Sequence, residues 1–270
     1  MKDYLYLSDD EGDRFQSRFK VSKTPAVERL INESKFGEAL NLIDEIIEID
    51  ESAQNFYLKA RILVGLLRFD EAIRCFDKSL SLEESGDAYT QKANAFYQWA
   101  KITYFPDGDF SKALLLIDSA IKTAPDHIDL SEFYFLKAEI LEGLNKLVEA
   151  QRYYLMAHGE FERLKELDSQ IEYLKNTSDD VVVLTGSHFY DFTPKKGMIV
   201  DLIAEVDNEH DSDAVAVYFN GSKIAYLANS PYTLVEGAKS ASDVKNKISD
   251  DSKVEIIFIY LGEYVMARLI

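Results

Sequence analysis

Four acidic side chains alternate around the start of the stretch NEHDSDAVAVYFNGSKIAYLANS, which covers residues 208–230, the first of them one residue before it. They are Asp207, Glu209, Asp211 and Asp213. Alternating carboxylates ligate calcium in an EF-hand loop, which also needs a glycine at its sixth position and a glutamate at its twelfth. Ser212 and Tyr218 stand at those two positions here, so the sequence argues against a dedicated calcium site.

Histidine and cysteine give little further support for a metal or for catalysis. The histidines share no ligand spacing; they are His127, His158, His188 and His210. The single cysteine, Cys75, excludes both an intramolecular disulfide and a thiolate zinc cluster. Only folding could bring His188, His210 and Asp211 together around a metal. No nucleophile, phosphate-loop or zinc-protease motif is present, so we expect a non-enzyme without a cofactor, and a metal-dependent hydrolase is the minority alternative.

The charge of the chain limits what it can bind. Lys and Arg number 30 against 48 Asp and Glu, which gives a net charge of -18. Such a charge disfavours unspecific attraction to nucleic acid or to acidic membranes, so any nucleic-acid contact has to be local. The sequence shows neither an apolar stretch of signal-peptide length nor one long enough to span a membrane. We therefore expect a cytoplasmic protein without a membrane partner.

The side chains with possible chemistry lie on two kinds of element, the first of which is a helical repeat. Residues 56–85 and 134–160 share an aromatic residue followed by x-x-Lys-Ala, then a leucine, then Glu-Ala before a further aromatic. Residues 89–125 repeat the pattern with an insertion at 98–109. The spacing places aromatic, small and apolar residues on one face of each first helix.

These units resemble tetratricopeptide (TPR) repeats, in which small residues let paired helices approach closely. The resemblance implies an antiparallel α-helical solenoid over residues 21–176, with a closing helix near 160–175. It also implies a groove that binds a protein or peptide segment along the first helices. The groove residues would be Tyr57, Arg61, Asn94, Tyr97 and Phe135. The family's Lys and Asn clamp for a C-terminal carboxylate has no match at Tyr57, Thr90 and Phe135, which argues against a chaperone-tail receptor.

Lysine recurs in the first helix of each unit, at Lys59, Lys92 and Lys137. One hypothesis is a basic ladder along the array. The other is that each lysine lies along its helix surface beside acidic neighbours.

A second kind of element begins where the helical periodicity stops. From residue 181 onward, runs rich in valine, isoleucine and tyrosine alternate with turn residues, which predicts a small, mostly-β, barrel-like domain at 181–270. Asn220-Gly221 predicts a tight hairpin inside it. The predicted organisation is therefore α then β. It consists of a mobile acidic segment at 1–20, helical repeats at 21–176, a linker at 177–180 and the β domain at 181–270.

The β domain resembles the HIRAN family. The resemblance rests on LTGSHFYD (184–191), on residues 196–230 and on SAS (240–242). Within these stretches, Gly precedes paired aromatics, a Glu-x-x-Asn-x-x-Asp segment follows, and an Ala-Val strand leads into a Lys-Ile-small-Tyr strand. The resemblance implies recognition of the 3′ end of single-stranded DNA, with bases stacked on aromatic rings and the terminal hydroxyl held by polar groups.

Carried onto this chain, the resemblance makes Phe189 and Tyr190 the stacking rings and Asp211 the hydroxyl acceptor. The chain departs from the family's DNA-binding members at three positions. His188 stands where they have arginine, His210 replaces an aromatic residue, and Tyr226 replaces a histidine. The predicted nucleic-acid site is thus His188, Phe189, Tyr190, His210, Asp211 and Tyr226.

A purely structural alternative remains for the same residues. Tyr190 and Tyr226 would then be half-buried barrel residues, and Asp211 would cap a turn. Phosphate contacts are few in either case, with Lys195, Lys196 and Lys223 the nearest cations in sequence.

The leading functional hypothesis is a non-catalytic adaptor. Its TPR-like array would hold a protein partner, and its HIRAN-like domain would bind single-stranded DNA or DNA ends. The alternative is a scaffold in which both modules bind protein.

Overall fold

The computed structural model describes residues 23–105, 108–190, 192–249 and 251–270. The predicted mobile segment at 1–20 lies outside them. The chain divides into two compact units, Met1–Gly159 and Glu160–Ile270. In the described residues, no helix is both long enough and apolar enough to cross a membrane.

The first unit is the predicted array of antiparallel helices. Its helices are α1 (23–32), α2 (Phe36–Ile47), α3 (Ala53–Gly65), α4 (Phe69–Leu82), α5 (Gly86–Tyr104), α6 (Phe110–Thr123), α7 (Ser131–Gly143) and α8 (Leu147–Ala157). The repeated small residues are buried where paired helices meet. They are Ala60, Ala93 and Ala138 on the first helices, and Ala72, Ala113 and Ala150 on the second. A helical solenoid of the predicted type is confirmed.

Sharp turns between the helices recur at equivalent places. After α1, α3 and α7 the backbone enters the left-handed region at Ser34, Leu67 and Asn145, with φ near 57°, 60° and 58°. The amide of the following residue then donates to a carbonyl five residues back, as Arg68 does to Leu63 and Lys146 to Leu141, both at 2.9 Å. This is the Schellman arrangement, which satisfies the last carbonyls of a helix. The repeat therefore extends from sequence pattern to turn geometry.

The second unit is a closed antiparallel barrel preceded by a helix. Its elements are α9 (Phe161–Asn176), β1 (Val181–Thr185), β2 (Ile199–Ala204), β3 (Val215–Phe219), β4 (Ser222–Leu227), α10 (Ala241–Val244), β5 (Lys253–Tyr260) and β6 (Tyr264–Leu269). The strand order around the barrel is β1-β4-β3-β2-β5-β6. Closure leaves no unpaired sheet edge, and the interior is filled by valine, leucine, isoleucine and alanine from all six strands together with α10.

The hairpin predicted from Asn220-Gly221 joins β3 to β4. Both turn residues have positive φ, 49° and 80°, as a type I′ turn requires. Val215 and Val217 are fully buried, and Phe219 packs against the same core from a half-buried position. The hairpin thereby fixes which side chains of β4 face outward.

The helix α9 packs against the barrel of its own unit. The Tyr173 ring meets Phe258 edge-on at 6.0 Å, and its hydroxyl donates to Asp179 at 2.8 Å. Gly237, at φ 88°, lies so close that a Cβ there would be 2.6 Å from the Leu174 carbonyl oxygen. The sequence prediction instead groups this helix with the array.

The segment expected to be a linker, 177–180, is bonded to the barrel. The carboxylate of Asp180 accepts from Lys239 and Lys247, and its backbone oxygen accepts from the Leu269 amide at 3.0 Å. The boundary between compact units falls earlier, after Gly159. The linker at 177–180 remains a prediction.

Candidate functional site

An open pocket of about 510 Å³ lies between the loop before β3 and the segment after β4. Three predicted site residues line it, namely His210, Asp211 and Tyr226. The other lining residues are Thr185, Asn208, Ala214, Leu227, Asn229, Ser230 and Thr233. Asn229 and Ser230 were not predicted as site residues, although they are the last two residues of the stretch 208–230 that suggested the site.

Asp211 lies at the centre of a hydrogen-bonded loop. One carboxylate oxygen accepts from the Asp213 amide at 2.9 Å, and the other accepts from the Asn229 side chain at 2.9 Å. Its own amide donates to the side-chain oxygen of Asn208 at 3.1 Å. The residue therefore does cap a turn, as the structural alternative requires. A carboxylate has about four acceptor positions, so these two bonds leave room for a ligand hydroxyl.

The side chain of Asn229 also bonds to Ser242 on α10. The Asn229 side-chain oxygen accepts from the Ser242 amide at 3.1 Å, and the Ser242 hydroxyl lies 2.8 Å from both Asn229 Oδ1 and Asp213 Oδ2. Lys245 donates to the Asp213 carboxylate at 3.0 Å. The bonds from Ser242 and Lys245 hold the pKa of Asp213 below its ordinary value. The lining residues Asp211 and Asn229 thus belong to a connected polar network that continues outside the pocket lining.

Tyr226 belongs to a charged cluster beside the pocket. Its hydroxyl lies 2.9 Å from the Lys223 ammonium and 3.1 Å from a Glu205 oxygen. Lys223 also donates to Glu205, and the Asn208 amide donates to the same carboxylate at 2.9 Å. The hydrogen bond from Lys223 is the main cause that lowers the pKa of Glu205, and the same bond raises the pKa of Lys223. The charge of Lys223 is therefore paired with that of Glu205 inside the barrel domain.

The structure places the other three predicted residues outside the pocket lining. His188 and Phe189 lie on a single 3-10 turn, Ser187–Phe189, that begins two residues after the lining residue Thr185. The two rings are 4.0 Å apart, and Phe189 is 80% exposed. Tyr190 is half-buried. The exposed Phe189 ring is therefore accessible to a ligand.

The cluster required by the hydrolase alternative does not form within residues 23–105, 108–190, 192–249 and 251–270. No three side chains of His, Cys, Asp or Glu come together there as a metal-binding group. The pocket offers hydrogen-bond acceptors, amides and an imidazole, which suit the recognition of a polar ligand.

In the array, the predicted groove residues lie on the first helices α3, α5 and α7. The Arg61 guanidinium lies 5.7 Å from the centre of the Tyr57 ring. Asn94 and Tyr97 are half-buried one helical turn apart, and Tyr97 stacks on Phe133 at 4.9 Å. Phe135 is 42% exposed. The predicted groove therefore presents rings at partly open positions on all three helices.

The recurring lysines do not form a free basic ladder. Lys59 pairs with Asp44 at 2.8 Å, Lys92 with Asp77 at 2.5 Å, and Lys137 with Asp118 at 2.6 Å, each aspartate lying on the preceding second helix. This salt-bridge ladder of the six residues neutralises the lysine charges within the array. The hypothesis of acidic neighbours is confirmed.

Comparison with known proteins gives weak results. No family model matches the chain, and no curated protein matches it. Among solved structures, "Crystal structure of MamA protein" has 18% identity and a TM-score of 0.39, covering 54% of this chain and 75% of that one. "MamA 41-end from Desulfovibrio magneticus RS-1" has 16% identity and a TM-score of 0.32, covering 54% and 96%. Likenesses at this level carry no argument about function.

Proposed function

We propose that this chain is a non-catalytic adaptor whose helical array holds a segment of a partner protein against α3, α5 and α7. The supporting observation is the set of partly exposed rings on these helices, Tyr57, Tyr97 and Phe135, at positions that the resemblance assigns to ligand contact. Aromatic rings are the side chains that most often anchor protein interfaces.

Selection of displayed random peptides on the full chain tests this function. Peptides selected on the wild type should lose at least ten-fold in affinity for the Tyr57→Ala/Phe135→Ala variant, because the anchors are gone. Leu115→Ala is the matched control, since it removes an apolar side chain that is 70% exposed on a second helix. Equal losses in both variants, or no selected peptide at all, would contradict the proposal.

A second candidate function concerns the barrel, whose pocket would hold the 3′ end of single-stranded DNA. The favouring observation is that His210, Asp211 and Tyr226 share one pocket and that Phe189 is exposed on a turn close in sequence to its edge. Stacking of a base on such a ring contributes about 1–3 kcal/mol and does not need a positive surface. Asp211 would accept the hydrogen bond of the terminal hydroxyl.

Fluorescence anisotropy with 3′-hydroxyl and 3′-phosphate oligonucleotides tests the second candidate on the full chain at low salt. A 3′-phosphate would meet the Asp211 carboxylate, so the hydroxyl form should bind at least ten-fold more tightly. If neither oligonucleotide binds, the remaining hypothesis is a scaffold in which both modules bind protein.

A further inference from the structure

One face of α7 combines carboxylates with an exposed ring. Glu132, Phe135, Glu139 and Glu142 follow one another at spacings of three, four and three residues, which places them along a single side of the helix. Glu132, Phe135 and Glu142 are exposed and Glu139 is half-buried. We call these four residues the α7 stripe.

Tyrosines from the neighbouring helices flank the stripe. The Tyr154 hydroxyl of α8 donates to Glu142 at 3.0 Å, and its ring meets Phe135 edge-on at 5.5 Å. Burial and this bond raise the pKa of Tyr154 to about 12. On α5, burial and the nearby stripe glutamates raise the pKa values of Tyr97 and Tyr104 as well. The stripe is thus a negatively charged strip lined by rings.

The stripe has no paired lysine or arginine in the part of the array that the structure describes. Among the described residues, no salt bridge joins Glu132, Glu139 or Glu142 to a lysine or an arginine. The aspartates of the salt-bridge ladder each have a lysine partner. The lysines of the first helices are thus paired with aspartates of the salt-bridge ladder, and among the described residues the stripe glutamates have no lysine or arginine partner of this kind. Carboxylates beside aromatic faces bind a cation both by charge and by cation–π attraction.

We propose that the α7 stripe docks a basic segment of the partner protein, in which two or three arginine or lysine side chains lie at alternate positions. From Glu132 to Glu142 the helix rises about 15 Å. Alternate side chains of an extended segment are about 7 Å apart, so three of them span nearly the same length. The inference rests on the proposed function, because it names the chemistry of the segment that the array holds.

The probes are three fluorescent ten-residue peptides of alternating glycine with arginine, lysine or glutamate, titrated against the full chain. The arginine and lysine peptides should bind and the glutamate peptide should not. In Glu139→Gln/Glu142→Gln the arginine peptide should bind at least ten-fold more weakly. Glutamine has nearly the shape and helix propensity of glutamate, so the helix is retained. Phe135→Ala should weaken binding further.

The matched control is Glu48→Gln/Glu149→Gln, which removes the same charge from exposed positions elsewhere in the array. This control variant should bind the arginine peptide with an affinity within two-fold of the wild-type value. Equal losses in the two double variants would show attraction by net charge alone and overturn the inference. If displayed peptides of acidic or apolar composition bind through Tyr57 and Phe135 while the basic peptides do not, the inference fails and the adaptor function stands. If no peptide of any composition binds, both fail.

Discussion

The Phe110 ring, at the first residue of α6, lies directly against Gly143, the last residue of α7. A Cβ at Gly143 would come within 3.0 Å of three ring atoms. The same relationship recurs near the N-terminal end of the array, where Phe36 is the first residue of α2 and lies against Gly65, the last residue of α3. In both places the aromatic ring at the start of the second helix of one repeat fills the space beside a glycine. That glycine ends the first helix of the following repeat.

Replacing Gly143 by alanine should lower the free energy of unfolding of the array by about 1–3 kcal/mol, because the methyl overlaps the Phe110 ring. Gly37→Ala is the control: it is also helical, but a Cβ there meets no atom within 4 Å, so it should be neutral or stabilise by up to about 1 kcal/mol. Denaturant unfolding followed by Trp99 fluorescence reports on the array, since Trp99 is the only tryptophan. Similar effects from both substitutions would contradict this packing.

Gly237→Ala should loosen α9 from the barrel. The residue has φ 88°, and an added Cβ would lie 2.6 Å from the Leu174 carbonyl oxygen. Gly221→Ala is matched, since it has φ 80° but no atom within 4 Å of the Cβ. Both substitutions strain the backbone, whereas only the first displaces the helix. Hydrogen exchange of the amides in 161–176 should therefore speed up in Gly237→Ala alone, and equal rates would argue against the close approach.

The barrel's stability should depend on pH through Glu205. Its pKa is lowered in the folded state by Lys223, so the stability it contributes is present above its unfolded pKa and is lost as the pH falls through its folded pKa. Lys223→Gln should thus lower the free energy of unfolding of the barrel at pH 7. The difference from the wild type should shrink towards pH 3, where Glu205 becomes protonated. The exposed pair Lys253–Asp201 supplies the control, because Lys253→Gln should change little. Calorimetry at several pH values measures both, and a pH-independent loss for Lys223→Gln would be the contrary result.

Asp211→Asn and Asn229→Ala separate the two hypotheses for the pocket. Both substitutions disturb the bond between Asp211 and Asn229, but only the first removes the carboxylate. If Asp211 binds a ligand hydroxyl, oligonucleotide affinity should fall at least ten-fold in Asp211→Asn and less in Asn229→Ala. If the residue only fastens the loop, the two variants should behave alike in binding and in thermal unfolding.

The elements of the fold were predictable because their signals are local. Alanine spacing indicates paired helices, and Asn220-Gly221 indicates a hairpin whose φ values only these residue types adopt readily. The alternation of apolar and polar residues and the turn residues predict a barrel-like β domain. They do not predict the order in which the six strands pair. The helix α9 shows the limit, because periodicity identifies its apolar face, with Leu167 and Leu174 buried, and does not identify what covers that face.

The site was less predictable because its bonds join loops. Asp211 reaches Asn229 and Asp213 reaches Ser242 across 18 and 29 residues, and no periodic pattern connects such positions. The Glu-x-x-Asn-x-x-Asp segment was found by resemblance, and its physical content appears only in the structure, where Asn208 donates to Glu205 and accepts from the Asp211 amide.

Limited proteolysis should distinguish the two candidate boundaries between the units. His158 and Gly159 are exposed, whereas Asp179 and Asp180 are bonded to Tyr173, Lys239 and Lys247. A protease needs several residues of unfolded chain, so a broad-specificity enzyme should cut first at 158–160. Mass spectrometry should then find a C-terminal fragment that keeps α9. First cleavage at 177–180, with a fragment that begins at the barrel, would instead support the linker predicted from the sequence, since the bonds of Asp180 would then be too weak to protect the chain.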